Sequence, residues 1–91
     1  MRVVWTEAAL ADLDDVLAYI AEHHPSLVEP LERRLRAVVE RIGQWPQSGR
    51  VVEERPGVRV VPLVRYPYRL FYLVTDHRVE ILHLHHAARD D

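Results

Sequence analysis

Two hydrophobic periods divide this 91-residue chain. Between residues 7 and 45 apolar side chains recur every three or four positions, the period of a helix that buries one face. Before and after that stretch they alternate or run together, as strands do. Leu10, Leu13, Leu17 and Ile20 form the first helical stripe, widened by Val16. Thr6 is placed to N-cap this helix, and Glu7 puts a carboxylate in its first turn. The helix should end near Glu22, since His23-His24-Pro25 follows and the residue before a proline is pushed out of the helical region. Ser26 with Glu29 reads as a capping box for a second helix. Pro30 lies in its first turn. Its stripe is Val28, Leu31, Leu35, Val38, Ile42 and Trp45, supported by the i,i+4 pairs Glu29–Arg33 and Glu32–Arg36. Gly43 is the expected C-cap. The two stretches together predict a helical hairpin.

Arg2–Trp5 predicts an opening strand. Gln44–Gly57 carries Trp45-Pro46, Ser48-Gly49 and Pro56-Gly57, the marks of a loop, with a short paired piece at Val51-Val52. Val58–Val64 predicts a strand whose Pro62 must face an edge or a bulge. Tyr68–Thr75 and Val79–His86, separated by Asp76-His77-Arg78, predict a hairpin. Position parity puts Tyr68, Leu70, Tyr72 and Val74 on one face of its first strand and Arg69, Phe71 and Leu73 on the other. In the second strand it groups Leu82, Leu84 and His86 against Val79, Ile81, His83 and His85. Both faces carry apolar residues, so a partner is expected over the face that the helices leave open. The fold class is α+β in the order β-α-α-β-β-β. It is a single domain, residues 1–91, with a small, mostly antiparallel sheet and the helical hairpin packed on one face.

Composition narrows the functional classes. There is no cysteine, which excludes disulfides and thiolate metal sites. No apolar run approaches the roughly 18–20 residues of a membrane span, and the N-terminus lacks a signal-peptide core, so a cytoplasmic protein is expected. The net charge is −2, without the basic excess of a dedicated nucleic-acid binder, and no sequence-specific nucleic-acid binding is expected. All 12 cationic side chains are arginine, which leaves any anion contact to planar, bidentate groups.

Few residues suggest chemistry. Asp12, Asp14, Asp15 and Glu22 lie mostly off the first stripe and read as a solvated acidic face or as a patch that recognises a basic partner. His83 and His85 share a strand face, as metal ligands can, but a site needs a third and usually a fourth ligand. Nothing in the sequence places His23 or His24 nearby, so no metal and no cofactor are expected. Tyr66, Tyr68 and Tyr72 could stack on bases, but Leu70 and Val74 between them favour the core. Trp45 is expected in the core and Trp5 between strand and helix. Arg50 is read as pairing with Glu53 or Glu54, or with a partner. No phosphate-binding glycine loop, serine-nucleophile signature or paired catalytic carboxylate is present.

Five segments in order carry a resemblance: W-T-E-A-A-L-A-D-L, Y-I-A-E-H-H-P, W-P-Q-S-G-R, Y-P-Y-R-L-F-Y and I-L-H-L-H-H-A-A-R-D. Together they resemble the RelE/ParE superfamily of toxins from type II toxin–antitoxin modules, over essentially the whole chain. The resemblance implies the same β-α-α-β-β-β layout and a cognate antitoxin that wraps and silences the toxin. It also implies one of two activities. RelE-type toxins cleave messenger RNA in the ribosome; ParE-type toxins poison DNA gyrase. By similarity, Arg69 and Arg89 fall on phosphate-holding arginines of RelE, and His86 could serve as its acid. Against the ribonuclease, the strand that carries lysines in RelE reads Val60-Val61-Pro62-Leu63 here, and the late tyrosine of RelE has no counterpart up to Asp91. Y-P-Y-R-L-F-Y, the G-R pair after the second helix and the near-neutral charge lean towards ParE. The expectation is a ParE-like gyrase inhibitor. Its candidate target contacts are Arg69, His83, His85, His86 and Arg89, and its candidate antitoxin contacts are Arg50, Arg59 and Tyr66.

Overall fold

The computed structural model describes residues 1–88. The chain forms β1 (Arg2–Trp5), α1 (Glu7–His23), a single 3₁₀ turn (Pro25–Leu27), α2 (Val28–Gln44), β2 (Arg50–Val51), β3 (Val58–Pro62), β4 (Tyr68–Val74) and β5 (Arg78–His86). The five strands make one sheet in the order β1-β5-β4-β3-β2. Among the described residues only β1 and β5 run parallel; every other pairing is antiparallel. This is the α+β layout the sequence predicts, with β2 realising the short paired piece one residue earlier than expected.

Burial follows the two periods. Leu31, Leu35, Val38 and Ile42 of α2 are buried, as are Tyr68, Leu70 and Tyr72 of β4. The α1 stripe departs from expectation only in its first turn. Ala9 is fully buried while Leu10 is 47% exposed, so the packed line runs through Ala9, Leu13, Val16, Leu17 and Ile20. A small residue at the closest approach escapes any reading that follows only large side chains.

Four local expectations are corrected. Ser26 makes no cap. Pro25 instead opens a 3₁₀ turn in which the Leu27 N–H donates to the His24 carbonyl at 2.8 Å, and α2 follows with no side-chain cap. Gly43 lies inside α2 and is not its C-cap. It is glycine because β1 crosses there: an added Cβ would stand 3.2 Å from both the Met1 carbonyl and Val3 Cγ2. The Met1 ammonium donates to the Gly43 carbonyl at 2.7 Å. Trp45 is 68% exposed because it is the helix C-cap, at φ −129° and ψ 75°, and has left the helical phase. Parity fails in β5, where a register shift opposite Phe71 and Tyr72 marks a bulge. Val79 and Ile81 before it, and Leu84 after it, are all buried, facing Val74, Tyr72 and Leu70 respectively.

Tyr72 links the sheet to the loop after α2. Its ring is fully buried. Its hydroxyl accepts from the Gly49 N–H at 2.8 Å and donates to the Pro46 carbonyl at 2.8 Å. Both loop groups depend on that one oxygen. Tyr72→Phe should therefore lower the unfolding free energy by about 1–3 kcal/mol in urea denaturation. Gly49→Ala should cost more, because its Cβ would fall 2.5 Å from the Tyr72 oxygen.

Candidate functional site

The helices leave one sheet face uncovered. Arg69, Phe71 and Leu73 of β4 share it, and register adds Val58, Val60 and Pro62 of β3. On β5 the bulge places His85 opposite Arg69 and His83 opposite Phe71. A groove of about 880 Å³ runs along this face. Residues 50–55 line it together with Val60, Phe71, Arg69 and His85. It therefore holds three arginines, Arg50, Arg55 and Arg69, against two glutamates, Glu53 and Glu54. Arg69 is oriented through its Nη2, which donates to the Ala87 carbonyl at 3.1 Å. The His85 ring packs at 5.6 Å from Phe71 and 4.8 Å from His83.

The far edge of β5 is finished by α1. β1 pairs only with Arg78–Ile81. At the end of β1, the Thr6 N–H and hydroxyl both donate to the Ile81 carbonyl, at 3.1 and 2.8 Å. The same hydroxyl oxygen accepts from the Ala9 N–H at 3.2 Å, which makes Thr6 the expected N-cap. One turn further on, Asp12 Oδ2 accepts from the Leu84 N–H at 3.0 Å. It also lies 3.2 Å from His83 Nδ1 and 3.9 Å from His85 Nε2. Asp12 is thus no part of a solvated acidic face; it caps a strand edge.

The remaining candidates separate. His86 faces the helix side opposite Tyr68, ring edge to ring face at 5.5 Å, and its Nδ1 accepts from the Ala88 N–H at 3.1 Å. Arg50 lines the groove. Arg59 lies on the helix side, with its Nη1 donating to the Gln47 and Gly49 carbonyls at 3.2 and 2.8 Å. Tyr66 packs against the core beside Tyr19 and Leu27, away from the groove. Arg89 lies outside the described residues. The structure brings together Arg69, His83, His85 and Arg50, and sets apart His86, Arg59 and Tyr66.

Comparison with known proteins decides the family. The model of the ParE toxin of the type II toxin–antitoxin system parDE matches residues 3–91. The chain belongs to the ParE toxin family. It is 35% identical over 89 residues to the toxin RelE2 of Caulobacter vibrioides, covering 97% of each chain. It is 33% identical over 90 residues to the putative toxin Y4kP of Sinorhizobium fredii, covering 94% of this chain and 88% of the relative. A structure of the chromosomal ParDE toxin–antitoxin system from P. aeruginosa superimposes with a TM-score of 0.70 at 27% identity, over 94% of this chain and 95% of that one. The YoeB/ParE toxin from Agrobacterium tumefaciens shares the fold, with a TM-score of 0.63 at 16% identity, over 94% and 98%.

A cognate antitoxin is implied by the toxin–antitoxin system to which the family belongs. Among the described residues no helix is long and apolar enough to cross a membrane. Sequence reasoning missed Asp12, whose only signal was a carboxylate at the margin of the α1 stripe.

Two predictions follow from these contacts. Asp12→Ala leaves the Leu84 N–H without its acceptor and should destabilise the chain by about 1–2 kcal/mol, read by chemical denaturation. The Tyr68 phenol is held above its usual range, first by burial and then by the neighbouring Tyr19. The folded state therefore keeps its proton to higher pH than the unfolded state does. The resulting stability is complete below the ordinary tyrosine range and falls as pH rises through the raised value. Tyr68→Phe should flatten that alkaline decline in a pH series of melting curves.

Proposed function

We propose that this ParE-family toxin arrests growth from the cytoplasm by binding DNA gyrase and trapping it on cleaved DNA, and that its cognate antitoxin silences it by covering its exposed apolar surface. In this reading the chain is a binding module and brings no chemistry of its own. The supporting observation is the strand beside Arg69. In register with Arg69, β3 places the exposed Pro62, and in register with Phe71 it places Val60, which is buried. A ribonuclease acting by 2′-hydroxyl attack needs several cations on the pentavalent phosphate, as well as groups to take and to give a proton. Here the neighbouring strand offers no cation at either position, which suits protein contact better. Arg69, His83 and His85 are the contacts this reading assigns to the target, together with His86 on the helix side and Arg89, which lies outside the described residues. Arg50, Arg59 and Tyr66 are assigned to the antitoxin.

One observation favours the ribonuclease as a second reading. Arg69 and His85 line the same groove as Arg50 and Arg55. That set holds an imidazole and three guanidinium groups, and the relative in Caulobacter bears the name RelE2.

A gyrase supercoiling and cleavage assay, run beside a messenger-cleavage readout in a translating extract, separates the two. Blocked supercoiling and trapped gyrase–DNA with intact message is the expected result. Arg69→Ala should then weaken inhibition by roughly 10-fold or more while the fold is kept, as loss of an interface arginine does. Cut message with normal gyrase activity would overturn the proposal and make Arg69 and His85 parts of a ribonuclease site.

A further inference from the structure

Asp12, His83 and His85 bring three metal-ligating side chains to one place on the edge of β5. The two histidines alternate along the strand after the bulge, so both imidazoles project from the same side. Asp12 arrives from α1, the third ligand that the strand alone could not supply. The three donor atoms all lie within 4.8 Å of one another. His83 Nδ1 is 3.2 Å from Asp12 Oδ2, and His85 Nε2 is 3.9 Å from the same oxygen. The second distance is too long for a hydrogen bond.

We propose that Asp12, His83 and His85 bind one divalent transition-metal ion of the zinc class. Two imidazoles and a carboxylate suit zinc, whose bonds of about 2.0–2.2 Å place tetrahedral ligand atoms roughly 3.3 Å apart. The His83–Asp12 separation already has that value. The others must close by about 0.6 Å and at most about 1.5 Å, within reach of small ring rotations. The three side chains are between 23% and 34% exposed, so an ion can reach them from solvent. Asp12 is already oriented by the Leu84 N–H, the outer-shell hydrogen bond that ligating carboxylates commonly have. Three protein ligands leave a position for water or for an atom of a partner. Because His85 also lines the groove, the ion would stand at the groove's β5 end and tie it to α1. This site is independent of whether the toxin acts on gyrase or on message.

The test is titration of the 91-residue chain with zinc by calorimetry and with cobalt(II) by visible absorption, cobalt reporting coordination geometry. One ion per chain is expected, with a rise in Tm and the intense bands of four-coordinate cobalt. Uptake should weaken as pH falls from about 7.5 to about 5.5, because protons compete for the imidazoles. His83→Gln or His85→Gln should each weaken zinc binding by roughly 10-fold or more, and the pair should abolish it. Asp12→Asn should weaken it while keeping an acceptor for Leu84. Should that variant unfold, the double histidine variant decides, since it leaves the Asp12–Leu84 bond intact. Absence of binding, or zinc and cobalt uptake that persists in the double histidine variant and so resides on His23, His24, His77 or His86, would overturn the proposal.

Discussion

Strand β5 must satisfy two edges along nine residues, and the fold follows from how it does so. One edge belongs to β4 for its whole length. The other has only β1, a strand of four residues that ends opposite Ile81. Beyond that point, backbone donors would be stranded beside a packed helix, where an unmet N–H is costly. The chain resolves this with α1. Thr6 closes the last β1 pairing on the Ile81 carbonyl, caps the helix it begins, and so fixes where the helix starts. Asp12 then falls at the height of Leu84 and accepts its N–H. Strand edge, cap and helix position are one arrangement. The convergence of Asp12 with His83 and His85 is its by-product.

The bulge in β5 is the second constraint. Without it, strict alternation would keep Val79 and Ile81 on the same face as His83 and His85. Burying the first pair would bury the second, and four polar ring nitrogens would need partners inside the core. The extra residue switches the face after Ile81. Val79, Ile81 and Leu84 then all pack inward, and His83 and His85 join Phe71 and Arg69 outside. One local irregularity thus places a core and a polar surface on a single strand.

These two features mark the limit of what the sequence could tell. The period of the α2 stripe, the Thr6 cap, the β4 faces and the order of elements were legible, because each depends on neighbours three or four residues away or on simple alternation. The bulge was not, since nothing within Val79–His86 breaks the apolar pattern. The role of Asp12 was not, because it depends on a contact across 72 residues. Trp45 and Ser26 misled for a shared reason: each fits the pattern of the helix beside it, but the backbone has left helical geometry at Trp45 and has not yet entered α2 at Ser26. Arg69 and His85 were found as individuals, but their meeting in one groove required the β4–β5 register.

The groove itself is held from within the core. Its wall of residues 50–55 begins directly after Gly49, whose N–H is fixed by the buried Tyr72 hydroxyl. Arg59 clamps the same corner from the next strand, through the Gln47 and Gly49 carbonyls. The outgoing end is set by Val58, whose N–H donates to the Arg55 carbonyl at 3.1 Å. The wall is therefore anchored at both ends, and Arg50 and Arg55 are carried to Arg69 and His85 by a frame that exists before any partner arrives. Preorganisation of this kind lowers the ordering cost of binding. It also separates two roles that sequence alone would merge. Tyr72, Gly49 and Arg59 hold the surface in place, whereas Arg50, Arg69 and His85 line it. Loss of a residue from the first group should be felt throughout the groove, and loss from the second only at that side chain's own position.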